Sequence, residues 1–171
     1  MDAISFQQRE VELNAINVVQ GVWIAERQRV LRTILGSCVS VCLYDPIAKV
    51  GGMNHFVFPP LSGSTRITTM SADICMDGLL EAVLQAGARH GQLRAKAFGG
   101  GAMFAQEGGA LAVGKRNASF AKFWLEQEGI PLDLFDFHGN CARKLMFHPA
   151  SGQHLCIKLP ATLAPLMPGT N

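Results

Sequence analysis

Apolar positions along the chain follow two rhythms. Between Ile34 and Tyr44 they alternate from Ser37 onward, with Val39, Val41 and Leu43 on one side and Cys38, Ser40 and Cys42 on the other. That period of two predicts a strand with one well-buried face. Asp45-Pro46 turns the chain, and a second strand is predicted over Val50 to Phe58, ending at Pro59-Pro60. The two would form an antiparallel pair joined by a short loop. From Ser71 to His90 the spacing becomes helical, through Met76, Leu79, Leu80, Val83, Leu84 and Gly87, with Gly91 as the expected stop. A second helix is expected from about Asn117 to Glu128, where Phe120, Ala121, Trp124 and Leu125 make one stripe and Gly129 closes it. Strands are predicted at Leu132–Phe137, Arg143–Phe147 and His154–Leu159. This order predicts an α/β (α+β) sandwich of mixed or antiparallel sheet, with helices packed outside.

Composition narrows the class. At 171 residues the chain is expected to form a single domain over 1–171, with a core at about 11–159 and a mobile Pro-containing tail at 160–171. Hydrophobic residues make up 49% and charged residues 16%, which excludes a disordered chain. Fifteen Lys and Arg against 13 Asp and Glu leave a net charge of +2, too small a field for nucleic-acid binding. The five cysteines are odd in number and contain no Cys-x-x-Cys pair, which argues for reduced thiols rather than a disulfide framework or zinc ribbon. The first ten residues lack the apolar run of a signal peptide, and Ile34 to Tyr44 falls short of the roughly 20 residues of a membrane span. No membrane insertion and a cytoplasmic location are therefore expected.

Cys38 has two readings. A lone cysteine in an apolar strand is commonly a small buried hydrophobe. It also follows Gly36-Ser37, which can bend a strand, and shares the predicted hairpin with His55. A thiol beside an imidazole is the minimum apparatus for covalent acyl chemistry. Other patterns carry less. Gly109 to Arg116 matches a phosphate-binding loop until Arg116 replaces the magnesium-binding hydroxyl, and it reads as a glycine-rich turn into the second helix. His138, Cys141, His148 and His154 are too irregularly spaced for a metal site. Gly99-Gly100-Gly101 could close a site wall with backbone amides, and Asp136, Asn140 and Arg143 form either a polar turn beside a cleft or a solvated strand end.

Thr33 to Val39 (Thr-Ile-Leu-Gly-Ser-Cys-Val), Leu43 to Pro46 and Gly51 to Pro59 together resemble the signature of the CheD family, the chemoreceptor glutamine deamidases of bacterial chemotaxis. Lys96 to Gly100, Gly114 to Asn117 and Gly139 to Phe147 extend the resemblance to about Val11–Leu159, while Phe137 to Asn140 replaces the family's Gly-Gly turn. The resemblance implies a cysteine hydrolase akin to the deamidating domain of cytotoxic necrotizing factor, with no cofactor or metal. By position, it makes Cys38 the nucleophile, His55 the general base and acid, and Thr33 the third member. Ser37, Asn54, Gly99 and Gly100 become candidate cleft wall. Five positions separate Thr33 from Cys38, which in an unbroken strand puts them on opposite faces; a bulge at Gly36 would bring them together. The implied partners are the cytoplasmic domains of methyl-accepting chemotaxis receptors and CheC, a response-regulator phosphatase. Alternatives are a non-catalytic adaptor acting through CheC, or a cysteine amidohydrolase acting on another protein.

Overall fold

The computed structural model describes residues 11–61, 67–102 and 110–160. The tail expected to be mobile and the Gly108-Gly109 turn lie outside the described residues. The strands are β1 (Ile16–Asn17), β2 (Trp23–Glu26), β3 (Leu31–Leu35), β4 (Val39–Asp45), β5 (Val50–Asn54), β6 (Arg94–Gly99), β7 (Leu132–Phe137), β8 (Ala142–Phe147) and β9 (His154–Leu159). The helices are α1 (Ala72–Gln85) and α2 (Ala110–Glu128). One sheet has the order β2-β5-β4-β6-β7 and the other β1-β3-β8-β9. Both are mixed, through the parallel pairs β6–β7 and β1–β3. This is the α+β sandwich expected, with the helices on the outer face of the five-stranded sheet. No helix among the described residues is long and apolar enough to cross a membrane.

Strand β4 is the hinge of the architecture, buried at every position. Val39, Val41 and Leu43 join Phe56, Met76, Leu79 and Trp124 in the core beneath the helices. Cys38, Cys42 and Tyr44 join Leu31, Leu35, Met53 and Leu145 in a second core between the sheets. A strand with neighbours on both faces has no solvent-exposed side, so its alternation separates two cores rather than core from solvent.

The Ile34 to Tyr44 stretch is two strands in different sheets, not one. β3 pairs with β8 and β4 with β5 and β6, and the chain crosses between sheets at Gly36-Ser37. Two helix boundaries also differ from expectation. α1 ends at Gln85, where Gly87 takes φ 112° and the Ala88 and Gly87 N–H groups bond to Val83 O and Leu84 O. This cap satisfies the last carbonyls before Gly91 is reached. α2 begins at Ala110, so Gly114 is helical; a Cβ there would sit 2.7 Å from Gly100 O. Close helix packing on the Gly100 turn thus offsets the helix-propensity cost of glycine. The stop at Gly129, with φ 67°, is as expected.

Candidate active site

The crossing between sheets puts Thr33 and Cys38 on facing layers. Thr33 points inward from β3, between the inward residues Leu31 and Leu35. Val39 and Phe56 exchange both backbone hydrogen bonds, at 3.1 and 3.0 Å. Cys38 and His55 each precede one member of that pair, so alternation projects both onto the face opposite Val39, as diagonal neighbours. The odd spacing of Thr33 and Cys38 therefore needs no bulge. All three residues lie in the inter-sheet layer and are buried, Thr33 6%, Cys38 7% and His55 4% exposed.

The hydrogen bonds around His55 assign its tautomer. Thr33 Oγ1 lies 2.7 Å from Val18 O and 2.7 Å from His55 Nδ1, and His55 Nδ1 lies 3.2 Å from Val18 O. A carbonyl only accepts, so the Thr33 hydroxyl donates to Val18 O and accepts from Nδ1–H. The opposite assignment would set two lone pairs against each other at Val18 O. Nε2 is thereby left unprotonated, the form a proton acceptor needs.

Burial sets the charge state. It pushes the Cys38 thiol up to about 11, partly relieved by its own backbone N–H and by Gln20. It pushes the His55 imidazole down to about 4, with the Val18 carbonyl acting the other way. The resting pair is thus neutral thiol and neutral imidazole at pH 7.

The loop that presents Cys38 is clamped through its carbonyls. Gly36 O accepts from Gly101 N and Cys38 O from Gly100 N, both at 2.9 Å. Ser37 O accepts from Asn117 Nδ2 at 3.1 Å, and the same nitrogen reaches Val57 O at 2.9 Å. Asn117 so joins the residue before Cys38 to the second residue after His55. With the carbonyls engaged, the N–H groups of Ser37 and Cys38 donate to no backbone carbonyl among the described residues, and the Cys38 N–H faces its own Sγ. Glycine is required behind this loop: Gly99 has φ 116°, and a Cβ there would lie 2.1 Å from Cys38 O.

Other candidate positions separate by role. Gly99 and Gly100 back the Cys38 loop, and Ser37 is part of it. Asn54 faces the helices instead: Oδ1 accepts from Val41 N at 2.8 Å, and Nδ2 donates to Cys75 O at 3.2 Å and to Met76 Sδ at 3.1 Å. Arg143 is buried, donating to Asp136 Oδ1 at 3.0 Å and His138 O at 2.7 Å, while Asn140 is exposed. Asp136 and Arg143 thus form a polar turn rather than a solvated strand end, and Asn140 takes no part in it. His138 takes φ 71° and Gly139 φ 79°, the left-handed geometry suited to a Gly-Gly turn. Sequence reasoning missed the Val18 carbonyl, which carries no side-chain signal, and Gln20, whose Nε2 donates to Cys38 Sγ at 3.9 Å.

Comparison with known proteins gives matches over most of the chain. A family model described as CheD chemotactic sensory transduction matches residues 61–158. A protein of Dechloromonas aromatica named probable chemoreceptor glutamine deamidase CheD 2 is 42% identical over 167 residues, covering 96% of this chain and 85% of the relative. One of Cereibacter sphaeroides, named probable chemoreceptor glutamine deamidase CheD, is 42% identical over 84% of this chain and 72% of the relative. One of Burkholderia thailandensis, named probable chemoreceptor glutamine deamidase CheD 2, is 39% identical over 88% and 79%.

Proposed function

The chain belongs to the CheD family, and from that premise we propose that it hydrolyses glutamine side chains of methyl-accepting chemotaxis receptors to glutamate. Cys38 is the nucleophile, His55 the base and acid, and Thr33 orients His55. The observation that carries this reading is the 2.7 Å contact of Thr33 Oγ1 with His55 Nδ1, on the layer that also holds Cys38.

The steps follow from the protonation states. His55 Nε2 takes the Cys38 proton as Sγ adds to the glutamine Cδ, so the thiolate exists only during attack and its resting burial is no obstacle. The carbonyl electron pair moves to oxygen, where the Ser37 and Cys38 N–H groups can meet it. The imidazolium then protonates the departing nitrogen, the C–N bond breaks and ammonia leaves. Water, deprotonated by the same imidazole, adds to the thioester, and glutamate and the free thiol result. No cofactor is needed for a hydrolysis that balances amide and water against acid and ammonia. Each turnover replaces a neutral amide with a carboxylate on a receptor helix, which alters helix packing by like-charge repulsion.

The receptor's cytoplasmic domain as substrate makes the cytoplasm the place of reaction. Binding to a CheC-type protein is a further partner proposal, supported by the family resemblance and checked by co-elution of the two purified proteins. The test of the main reading is ammonia release from purified receptor cytoplasmic fragments. Wild-type chain releases ammonia and Cys38→Ala does not; unchanged release by Cys38→Ala sinks the assignment and favours another catalyst in the preparation.

A further inference from the structure

Gln20 belongs to none of the motifs above, yet it approaches the nucleophile. It lies in the turn between β1 and β2, half-buried, with Nε2 3.9 Å from Cys38 Sγ. The segment that carries it is tied to His55 at several points. Val18 O meets the Thr33 hydroxyl and the His55 ring, Gly21 N donates to His55 O at 2.8 Å, and His55 N donates to Val22 O at 3.1 Å. Gly21 takes φ 77°, and a Cβ there would come within 2.9 Å of Thr69 Oγ1, so the turn depends on glycine. The backbone that positions the base therefore also delivers the Gln20 amide to the sulfur.

We propose that Gln20 is a catalytic residue of the deamidation, donating its Nε2–H to the oxyanion formed when Cys38 Sγ adds to the substrate carboxamide. This inference rests on the deamidase reading. In the tetrahedral adduct the oxyanion is two bonds from Sγ, so a donor already reaching the sulfur is within range of that oxygen. The Sγ–C bond forms, the C=O π pair moves to oxygen, and Gln20 with the Ser37 and Cys38 N–H groups faces the charge. No bond to Gln20 forms or breaks, and the charge collapses as the C–N bond cleaves. A side-chain carboxamide suits this role because it donates without titrating, and so does not compete with His55 for the thiol proton. Preorganised donors of this kind act on the charge that develops in the transition state and little on the bound substrate.

The experiment measures kcat and KM for ammonia release from receptor cytoplasmic fragments, using the full chain as wild type, Gln20→Ala and Gln20→Met. The second readout is the rate of Cys38 alkylation by iodoacetamide, a displacement that consumes the thiol but develops no oxyanion. Both variants are expected to lose kcat by on the order of a hundredfold with KM within about threefold of wild type, while alkylation, slowed only by loss of the Gln20 hydrogen bond to the thiolate, falls by less than about tenfold. Gln20→Met keeps the side-chain length without a donor or a charge, so it decides the matter if Gln20→Ala fails to fold. A kcat within about threefold of wild type overturns the inference, and so does a parallel fall of kcat and alkylation, which would make Gln20 a support for the thiol. Wild-type chain that releases no ammonia overturns the deamidase reading itself, a result distinct from either.

Discussion

The two faces of β4 do different work from one backbone. Toward the helices it presents Val39, Val41 and Leu43, continuous with Phe56 and the apolar faces of α1 and α2. Toward the second sheet, the chain at its start presents Cys38, flanked by Ser40 and Cys42, across from Thr33 and Leu35. The helix-facing side is closed and apolar and fixes the strand. The sheet-facing layer also holds Thr33 and His55, whose hydrogen bonds are specified individually, down to the tautomer of His55. Rigid packing on one side thus holds the geometry that the proposed chemistry on the other requires.

Substitutions on the two faces should separate activity from stability. The largest effect is expected for Cys38→Ala, which lowers kcat by on the order of 10⁴-fold or more while costing only about 1 kcal/mol of stability, read by ammonia release and denaturant unfolding. Phe56→Ala is its mirror on the helix face, costing about 3–5 kcal/mol in urea unfolding. Thr33→Ala sharpens the contrast within the inter-sheet layer: kcat falls on the order of tenfold to a hundredfold, a fraction of what the base supplies. The smallest effect is in the pH profile. His55 at about 4 stays neutral at pH 5.5, so kcat/KM there should lie within about twofold of its pH 7.5 value. An imidazole at its ordinary value of about 6.5 would lose about tenfold over the same interval. The same shift works on stability. Its folded value lies below the unfolded one, so the unfolded chain binds the extra proton and stability falls as pH drops from about 6.5 toward 4.

The proposed catalytic set was more legible in the sequence than the layers that bring its residues together. The predicted hairpin singles out Cys38 and His55, the CheD resemblance alone adds Thr33, and the bounds of β7 and β9 follow from alternation between clear turn residues. Alternation reports which face a residue occupies but not which sheet its strand joins. The crossing at Gly36-Ser37 was therefore hidden inside one periodic run. β6 gave little signal because Ala95 and Ala97 have weak strand propensity; their small size instead lets the strand sit under the helices. The start of α2 was hidden by Gly114, a poor helix former whose close contact with Gly100 is a tertiary matter. Gln20 and the Val18 carbonyl reach the site through backbone bonds to His55, and no local pattern encodes such contacts.

The central claim is that one thiol of five, Cys38, forms the covalent bond to the substrate. It is tested most directly with a receptor peptide whose target glutamine is replaced by an electrophilic glutamine analogue, followed by mass-spectrometric mapping of the labelled cysteine. Both Cys38 and Cys42 are buried on the same face and stand diagonal to His55, but Cys42 is sealed at 0% exposure within the strand while Cys38, 7% exposed, sits at its start beside the clamped loop. The label should therefore fall on Cys38 at one equivalent, with Cys42, Cys75, Cys141 and Cys156 unmodified. Labelling of any of those four in place of Cys38 would contradict the account.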